Sequence, residues 1–204
     1  MKTGLFFHNC FLAHDTGLTH PECSDRLVSI VNGLSGKNFE DLERIEAPEA
    51  SLDHIELVHP RSHIDYILKS FPDEGFRNLD ADTILSPGSK EACLRAPGAV
   101  VEAVKAVFDR EIGNAFCLVR PPGHHAEPSR AMGFCVFNNI AIGAAYALRI
   151  LGLKRIAIID IDVHHGNGTE KWAEKLHNCL FFSIHQYPLY PGTGLNNNKN
   201  NENI

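Results

Sequence analysis

The sequence predicts an α/β fold, a mainly parallel sheet with helices on both faces. Three observations carry the prediction. Short apolar runs such as Ile156-Ala157-Ile158-Ile159 read as strands buried on both faces. They alternate with segments whose apolar residues recur at helical spacing. Polar, chemistry-bearing residues gather just past the ends of these runs, where ligands of open α/β sheets bind.

Residues 3–7 read as a first strand, and the loop after it contains His14 and His20-Pro21-Glu22. Leu27, Ile30, Val31 and Leu34 then recur at helical spacing up to Gly36. Ser51 and Ser62 read as N-caps of two short helices, the second carrying Ile64, Ile67 and Leu68. After a polar loop at 82–88, Ser89 caps a long helix with Ala96, Val100, Val104, Val107 and Phe108 on one face. Pro97 should kink or divide it, because proline lacks the helical donor. Residues 115–119 form a second buried strand and open into the loop 120–133. An alanine-rich helix over 139–151 stops at Gly152. The strand from Ile156 comes next, then a helix over 169–177 and a strand over 179–184. The last stretch, LNNNKNNENI at 195–204, has no core-forming pattern and reads as a disordered tail to a domain over 1–194.

Bulk properties narrow the function. At 204 residues and 44% hydrophobic, the chain can bury one sizeable core. A net charge of −6 with no basic run argues against a nucleic-acid partner, though not against a small basic substrate. No run approaches the ~20 apolar residues of a membrane span, and the apolar patch at 4–13 is broken by His8-Asn9, so no signal peptide is predicted. The six cysteines include no CxxC pair and read as reduced, mostly buried thiols of a cytoplasmic protein.

The most informative stretch is RIAIIDIDVHHGNG at 155–168. In an extended segment Asp160, Asp162 and His164 would project to one side, and so many polar groups are costly to bury unless they pair or hold a cation. Carboxylate and imidazole suit Zn²⁺ with one position left open. The second group is Arg120-Pro-Pro-Gly-His124-His125, whose imidazoles suit proton transfer near neutral pH. If both groups follow strands of one sheet, they share a rim. Phe134 and Tyr190, each beside glycines in rim loops, could wall a narrow channel.

Together with HDTGLTHPECSDRL, LDADTILSPGSKEA, RPPGHHAEPSRAMGFCVFNNIAIGA and SIHQYPLYPGTG, these stretches closely resemble the zinc-dependent histone deacetylase family. The HPE and GNG forms are most similar to its class II and bacterial amidohydrolase branch. The resemblance implies a three-layer α/β/α arginase/deacetylase fold, incomplete at the C-terminus, and hydrolysis of an acylated amine. It implies that Asp162 and His164 are two of three zinc ligands, and that His124 and His125 flank the reacting water, with His125 the general base and acid. Asp160 matches the carboxylate behind His124 and joins Ser183, Ile184 and the backbone of Asp162 and His164 in a structural K⁺ site. Asn167 stands where class I members carry an Asp behind the second histidine. Phe134, Gly133 and Tyr190 match the channel around the acyl-lysine stem, Asp82 the rim carboxylate that holds the substrate backbone, and Arg26 the pocket beneath the zinc where acetate leaves.

The resemblance is also partial. The third zinc ligand, the oxyanion tyrosine and its glycine-rich loop have no match in this chain. A family strand is expected between those at 115–119 and 156–160, so its absence should leave a slot in the sheet. The expectation is a truncated chain, inactive alone and able to pair with a second polypeptide supplying the rest. The substrate is open between acetyl-lysine proteins or peptides and acetylpolyamines, with no nucleic acid or membrane. A manganese ureohydrolase of the same fold is a weaker alternative, and so is a non-catalytic interaction module.

Overall fold

The computed structural model describes residues 1–196 and 201–204. Among them are the strands β1 (Thr3–Phe7), β2 (Glu43–Glu46), β3 (Arg77–Asn78), β4 (Ile84–Leu85), β5 (Asn114–Cys117), β6 (Ile156–Asp160), β7 (Cys179–Ser183) and β8 (Asn201–Asn203). The helices between them are α1 (Cys10–Ala13), α2 (Asp25–Gly33), α3 (Leu52–Glu56), α4 (Arg61–Leu68), α5 (Ser89–Phe108), α6 (Asn139–Arg149) and α7 (Asn167–Ala173). Two parallel sheets, ordered β2-β1-β5 and β6-β7-β8, hold all but the small β3–β4 hairpin. One core gathers Leu5, Phe6, Leu27 and the alanines of α5 around the first sheet. The other packs Ile158 and Phe181 of the second sheet against α6, α7 and the short helices α3 and α4.

Most of the expected elements are present, and the differences have local causes. Ser51 caps α3, accepting the His54 amide at 3.2 Å. Ser62, by contrast, lies inside α4, because the extended backbone of Pro60 (φ −65°, ψ 150°) already sets the entry ahead of it. The long helix begins at Ser89 with Gly88 as its cap. Pro97 does not divide it: α5 runs unbroken to Phe108, and the neighbouring Leu94 carbonyl takes the Ala50 amide at 2.9 Å. The helix after β6 starts two residues earlier than its pattern shows, so Asn167 is its first residue. Strand β2 escaped prediction because its residues ERIE are mostly exposed, and so did the two-residue β3 and β4 and the terminal β8.

Strand β8 overturns part of the disordered-tail expectation. Asn201–Asn203 pair in parallel with Phe181–Ser183, and Asn201 is buried. A strand can form there because backbone hydrogen bonds to β7, not side-chain hydrophobicity, hold it. The rest of the expected tail is residues 195 and 196, without regular structure, and residues 197–200, which lie outside the described residues.

The apolar run of β6 is not buried on both faces. Ile158 is 8% exposed but Ile159 is 67% exposed, and Phe116 and Leu180 are exposed alongside it. No described layer covers that face, and β5 and β6 do not pair, so the expected slot is present. Among the described residues no helix is long and apolar enough to cross a membrane. All six cysteines are free thiols, four of them buried.

Candidate metal and catalytic site

Strand β6 ends at Asp160 and gives way to a tight turn. The convergence of Asp160, Asp162 and His164 therefore comes from successive carboxylate-to-amide turns and not from strand alternation. Asp160 Oδ1 accepts the Asp162 amide at 3.1 Å, and Asp162 Oδ1 accepts the His164 amide at 2.8 Å. The same Oδ1 stands 3.1 Å from His164 Nδ1.

The second histidine block is rooted in the other sheet. Arg120, three residues past β5, is wholly buried, and its guanidinium donates to both Glu22 carboxylate oxygens at 2.6 and 2.8 Å and to the Phe11 carbonyl at 2.8 Å. That fixes where the loop leaves the sheet. At its far end the His124 carbonyl accepts the amides of Gly168 and Thr169 at 3.0 and 3.1 Å, clamping the loop to the start of α7. Gly166 must lack a side chain here, because a Cβ would collide with Asp160 Oδ2.

These clamps bring the two motifs to one rim. His124 and His125 lie with ring centroids 4.0 Å apart, and His125 is 6.0 Å from His164. His124 Nδ1 meets Asp160 Oδ2 at 2.9 Å while its Nε2 faces Asp162 Oδ1 at 4.0 Å. His125 Nδ1–H donates to Asn167 Oδ1 at 2.8 Å, and the Asn167 amide nitrogen is itself turned toward Glu127 and the Met132 sulfur. His125 Nε2 is thereby left with a free lone pair aimed at the rim. Burial pushes the His125 pKa down to about 4, with His124 nearby adding to it, so the ring is a neutral acceptor at pH 7. For Asp160, burial works against ionisation. The hydrogen bond and charge of His124, with the Asp162 amide, outweigh it and hold the carboxyl below its ordinary value.

The surrounding walls are aromatic. Tyr190 stands edge-on to His125 at 4.9 Å and to His164 at 6.4 Å. Burial, then Asp82 and Asp80, push its hydroxyl pKa up to about 12, so it stays protonated. Gly133 adopts φ +58°, and a Cβ there would lie 2.5 Å from the His125 ring, so only glycine lets the chain lie against the imidazole. Phe134 follows with φ +66°, its amide donating to Thr83 Oγ1 at 3.2 Å and its ring meeting His20 at 4.7 Å.

A histidine pair backed by separate acceptors thus stands beside an aspartate–histidine pair. A model of the histone deacetylase domain matches residues 20–203. The chain belongs to the histone deacetylase family. It is 40% identical to a probable deacetylase of Archaeoglobus fulgidus over 197 residues, 95% of this chain and 54% of that protein. It is 39% identical to histone deacetylase 5 of Arabidopsis thaliana over 198 residues, 91% of this chain and 30% of that one. The crystal structure of the HDA15 HD domain superposes with a TM-score of 0.89 at 34% identity, covering 95% of this chain and 57% of that one. The arginase/deacetylase fold is thus shown. The chain spans only about half of the Archaeoglobus relative and of the HDA15 domain, and less of the Arabidopsis protein.

The other residues singled out from the sequence have these neighbours. Asp82 is half-buried at the rim, and its carbonyl accepts from His20 Nε2 at 3.0 Å. Ser183 lies opposite Asp160 in the β6–β7 register, and the Ile184 amide donates to the Asp160 carbonyl at 3.0 Å, so these residues do gather. The Ser183 hydroxyl is shared with His185 at 2.9 Å. Arg26 reaches the Val119 carbonyl at 3.3 Å and lies 4.0 Å from Glu22, against the root of the histidine loop. Sequence reasoning missed the supporting set: Glu22 under Arg120, Thr83 under Phe134, Glu127 behind Asn167. The HPE motif held Glu22 in view, but a partner 98 positions away leaves no periodic trace.

Asp162 and His164 fit a tetrahedral zinc. Two donors each ~2.0–2.1 Å from one ion stand ~3.3 Å apart, close to the 3.1 Å between Asp162 Oδ1 and His164 Nδ1. Among the described residues no third His, Cys, Asp or Glu joins this pair. The one group of three such donors mutually within 4.8 Å is His8, Cys10 and Glu91.

Proposed function

We propose that this chain carries the histidine and aspartate half of a zinc-dependent deacetylase site, acting by descent on acetyl-lysine in a protein or peptide, or on an acetylpolyamine. The observation that carries this is the juxtaposition of two anchored imidazoles, His125 on Asn167 and His124 on Asp160, with the donor pair Asp162–His164. When bound, zinc supplies Lewis acidity to the acyl carbonyl and makes water a stronger acid. His125 Nε2 takes the proton from the attacking water and returns one to the leaving amine. The Asp160 carboxylate steadies positive charge on His124 as the reaction proceeds. Phe134 and Tyr190 exclude water from an alkyl stem, Gly133 gives that stem room beside His125, and Asp82 orients the substrate backbone. Arg26 lies toward the acetate exit. Asp160, Ser183 and Ile184 would hold K⁺ with their oxygens and so stiffen the turn that carries Asp162 and His164.

Two donors bind zinc far more weakly than three preorganised ones, so the chain alone binds substoichiometric zinc and does not turn over. The reading is tested by loading the purified chain with Co²⁺ and following its visible absorption. A weak tetrahedral-type spectrum that disappears in Asp162→Asn and His164→Ala supports the site. A spectrum unchanged in both variants refutes it. Stoichiometric zinc with hydrolysis of a fluorogenic acetyl-lysine peptide refutes the inactivity of the isolated chain. We propose a cytoplasmic location, a reading that the six unpaired cysteines support.

A further inference from the structure

A neutral imidazole has two tautomers, and only one leaves a lone pair on the nitrogen that faces the rim. At His125 the choice falls to Asn167, whose side chain meets Nδ1 at 2.8 Å. An asparagine amide offers an acceptor at one end and a donor at the other, in nearly the same shape. With its oxygen toward His125 it accepts from Nδ1–H and leaves Nε2 free. Turned end for end, it would donate to Nδ1 and put the proton on Nε2, where the ring could no longer accept one from water. His125 is 4% exposed and Asn167 8%, so solvent has little part in that choice.

The groups on the far side of the amide are all of one kind. Asn167 Nδ2 faces Glu127 Oε1 at 3.3 Å and the Met132 sulfur at 3.5 Å. A carboxylate and a thioether accept and do not donate, so the amide nitrogen must point at them and the oxygen at His125. The other carboxylate oxygen, Glu127 Oε2, takes the Lys171 ammonium at 2.7 Å. Glu127 is also fixed through its backbone, its amide donating to the Arg130 carbonyl at 2.9 Å and its carbonyl accepting the Arg130 amide at 3.3 Å. Lys171 follows Asn167 by one helical turn of α7, so both project from one side of that helix. The carboxylate thus bridges the loop that carries His125 and the helix that carries Asn167. As an exposed ion pair alone, Lys171 with Glu127 would contribute little.

We propose that Glu127, held by Lys171, is the positioning residue that sets the tautomer of His125: through the Asn167 amide it keeps the proton on Nδ1 and the lone pair on Nε2. The use made of that lone pair rests on the reading of His125 as the base. The placement of the proton does not.

The test is ¹⁵N NMR of the full chain labelled at histidine and freed of metal with a chelator. It is run at neutral pH, where burial keeps the His125 ring uncharged. The proton-bearing and lone-pair nitrogens of a neutral ring resonate far apart, and the His125 signals are assigned by their loss in His125→Gln. In the parent the proton lies on Nδ1. Glu127→Gln keeps the shape, but Lys171 draws the new amide oxygen and turns its NH₂ toward Asn167. The Asn167 amide then reverses, and the tautomer ratio shifts toward Nε2–H by about tenfold or more, the scale of one charge-assisted hydrogen bond. Adding Asn167→Asp to that variant restores Nδ1–H, because a carboxylate accepts at either oxygen. Glu127→Ala removes the acceptor without supplying a donor and shifts the ratio the same way by less. A purely structural ion pair would lower Tm and leave the tautomer where it was. Nδ1–H retained in both Glu127 variants, each folded by far-UV circular dichroism, overturns the proposal. So does a parent with its proton on Nε2, or a double variant that stays in the Nε2–H form. Metal is absent throughout, so a failed cobalt titration at Asp162 and His164 and a failed tautomer shift are told apart.

Discussion

Acidification should destabilise this protein through His59, which is wholly buried. Its Nδ1–H donates to the Pro128 carbonyl at 3.0 Å and its Nε2 accepts the Asn138 amide at 2.9 Å. Both nitrogens are committed as a neutral ring, and a second proton would turn Nε2 from acceptor into donor against an N–H. Burial, aided by His63, pushes its pKa down to about 3. An unfolded histidine titrates near 6.5, so between about 6.5 and 3 the unfolded chain binds the proton and the native chain does not. The stability is present above the unfolded value and is lost progressively as pH falls toward the folded one. From pH 7 to pH 5 the unfolded ring goes from about one quarter to nearly fully protonated, which costs about 2 kcal/mol of stability. The assay is urea denaturation of the parent and of His59→Gln, whose amide oxygen keeps the Asn138 bond without titrating. The variant starts weaker, by about 1–3 kcal/mol for the unpaired Pro128 carbonyl, but its loss between pH 7 and 5 should be smaller than the parent's by about 2 kcal/mol. Equal losses in the two proteins would refute the reasoning, whatever other histidines contribute, because only the difference isolates His59.

Three further outcomes concern an ion pair, a glycine and a cap. Glu22→Gln leaves Arg120 buried without its countercharge and should cost about 3–5 kcal/mol in urea denaturation, whereas Glu22→Leu combined with Arg120→Met should recover much of it. Gly133→Ala forces a side chain into a φ of +58° and against the His125 ring; a loss of about 1–2 kcal/mol is expected, read as a lowered Tm with the far-UV spectrum unchanged. Ser51→Ala removes the oxygen that accepts the His54 amide and should cost about 1 kcal/mol, measurable in the same denaturation series and additive with the Glu22 change.

Much of the site was legible because its residues are contiguous. Arg120 to His125 and Asp160 to Asn167 each place several functional groups within one loop, and a strand followed by such a loop sends it to a sheet's carboxyl rim whatever else the fold does. Helix existence was legible from periodicity, as for α5 and α6, though boundaries moved where a proline or a turn set the entry. Not legible were contacts made between distant segments: Glu22 with Arg120, Thr83 with Phe134, and the backbone pairing that recruits Asn201–Asn203 into a sheet despite a composition that gives no signal. The apolar run of β6 specified a strand but not its neighbours, and Ile159 stands exposed because burial is a property of what packs on a strand. Residue chemistry and local spacing were thus determined by the sequence itself, since they depend on neighbours a few bonds away. The distances that make a site of them, and the open groove beside it, were decided only by tertiary packing, which acts between atoms the chain order holds far apart.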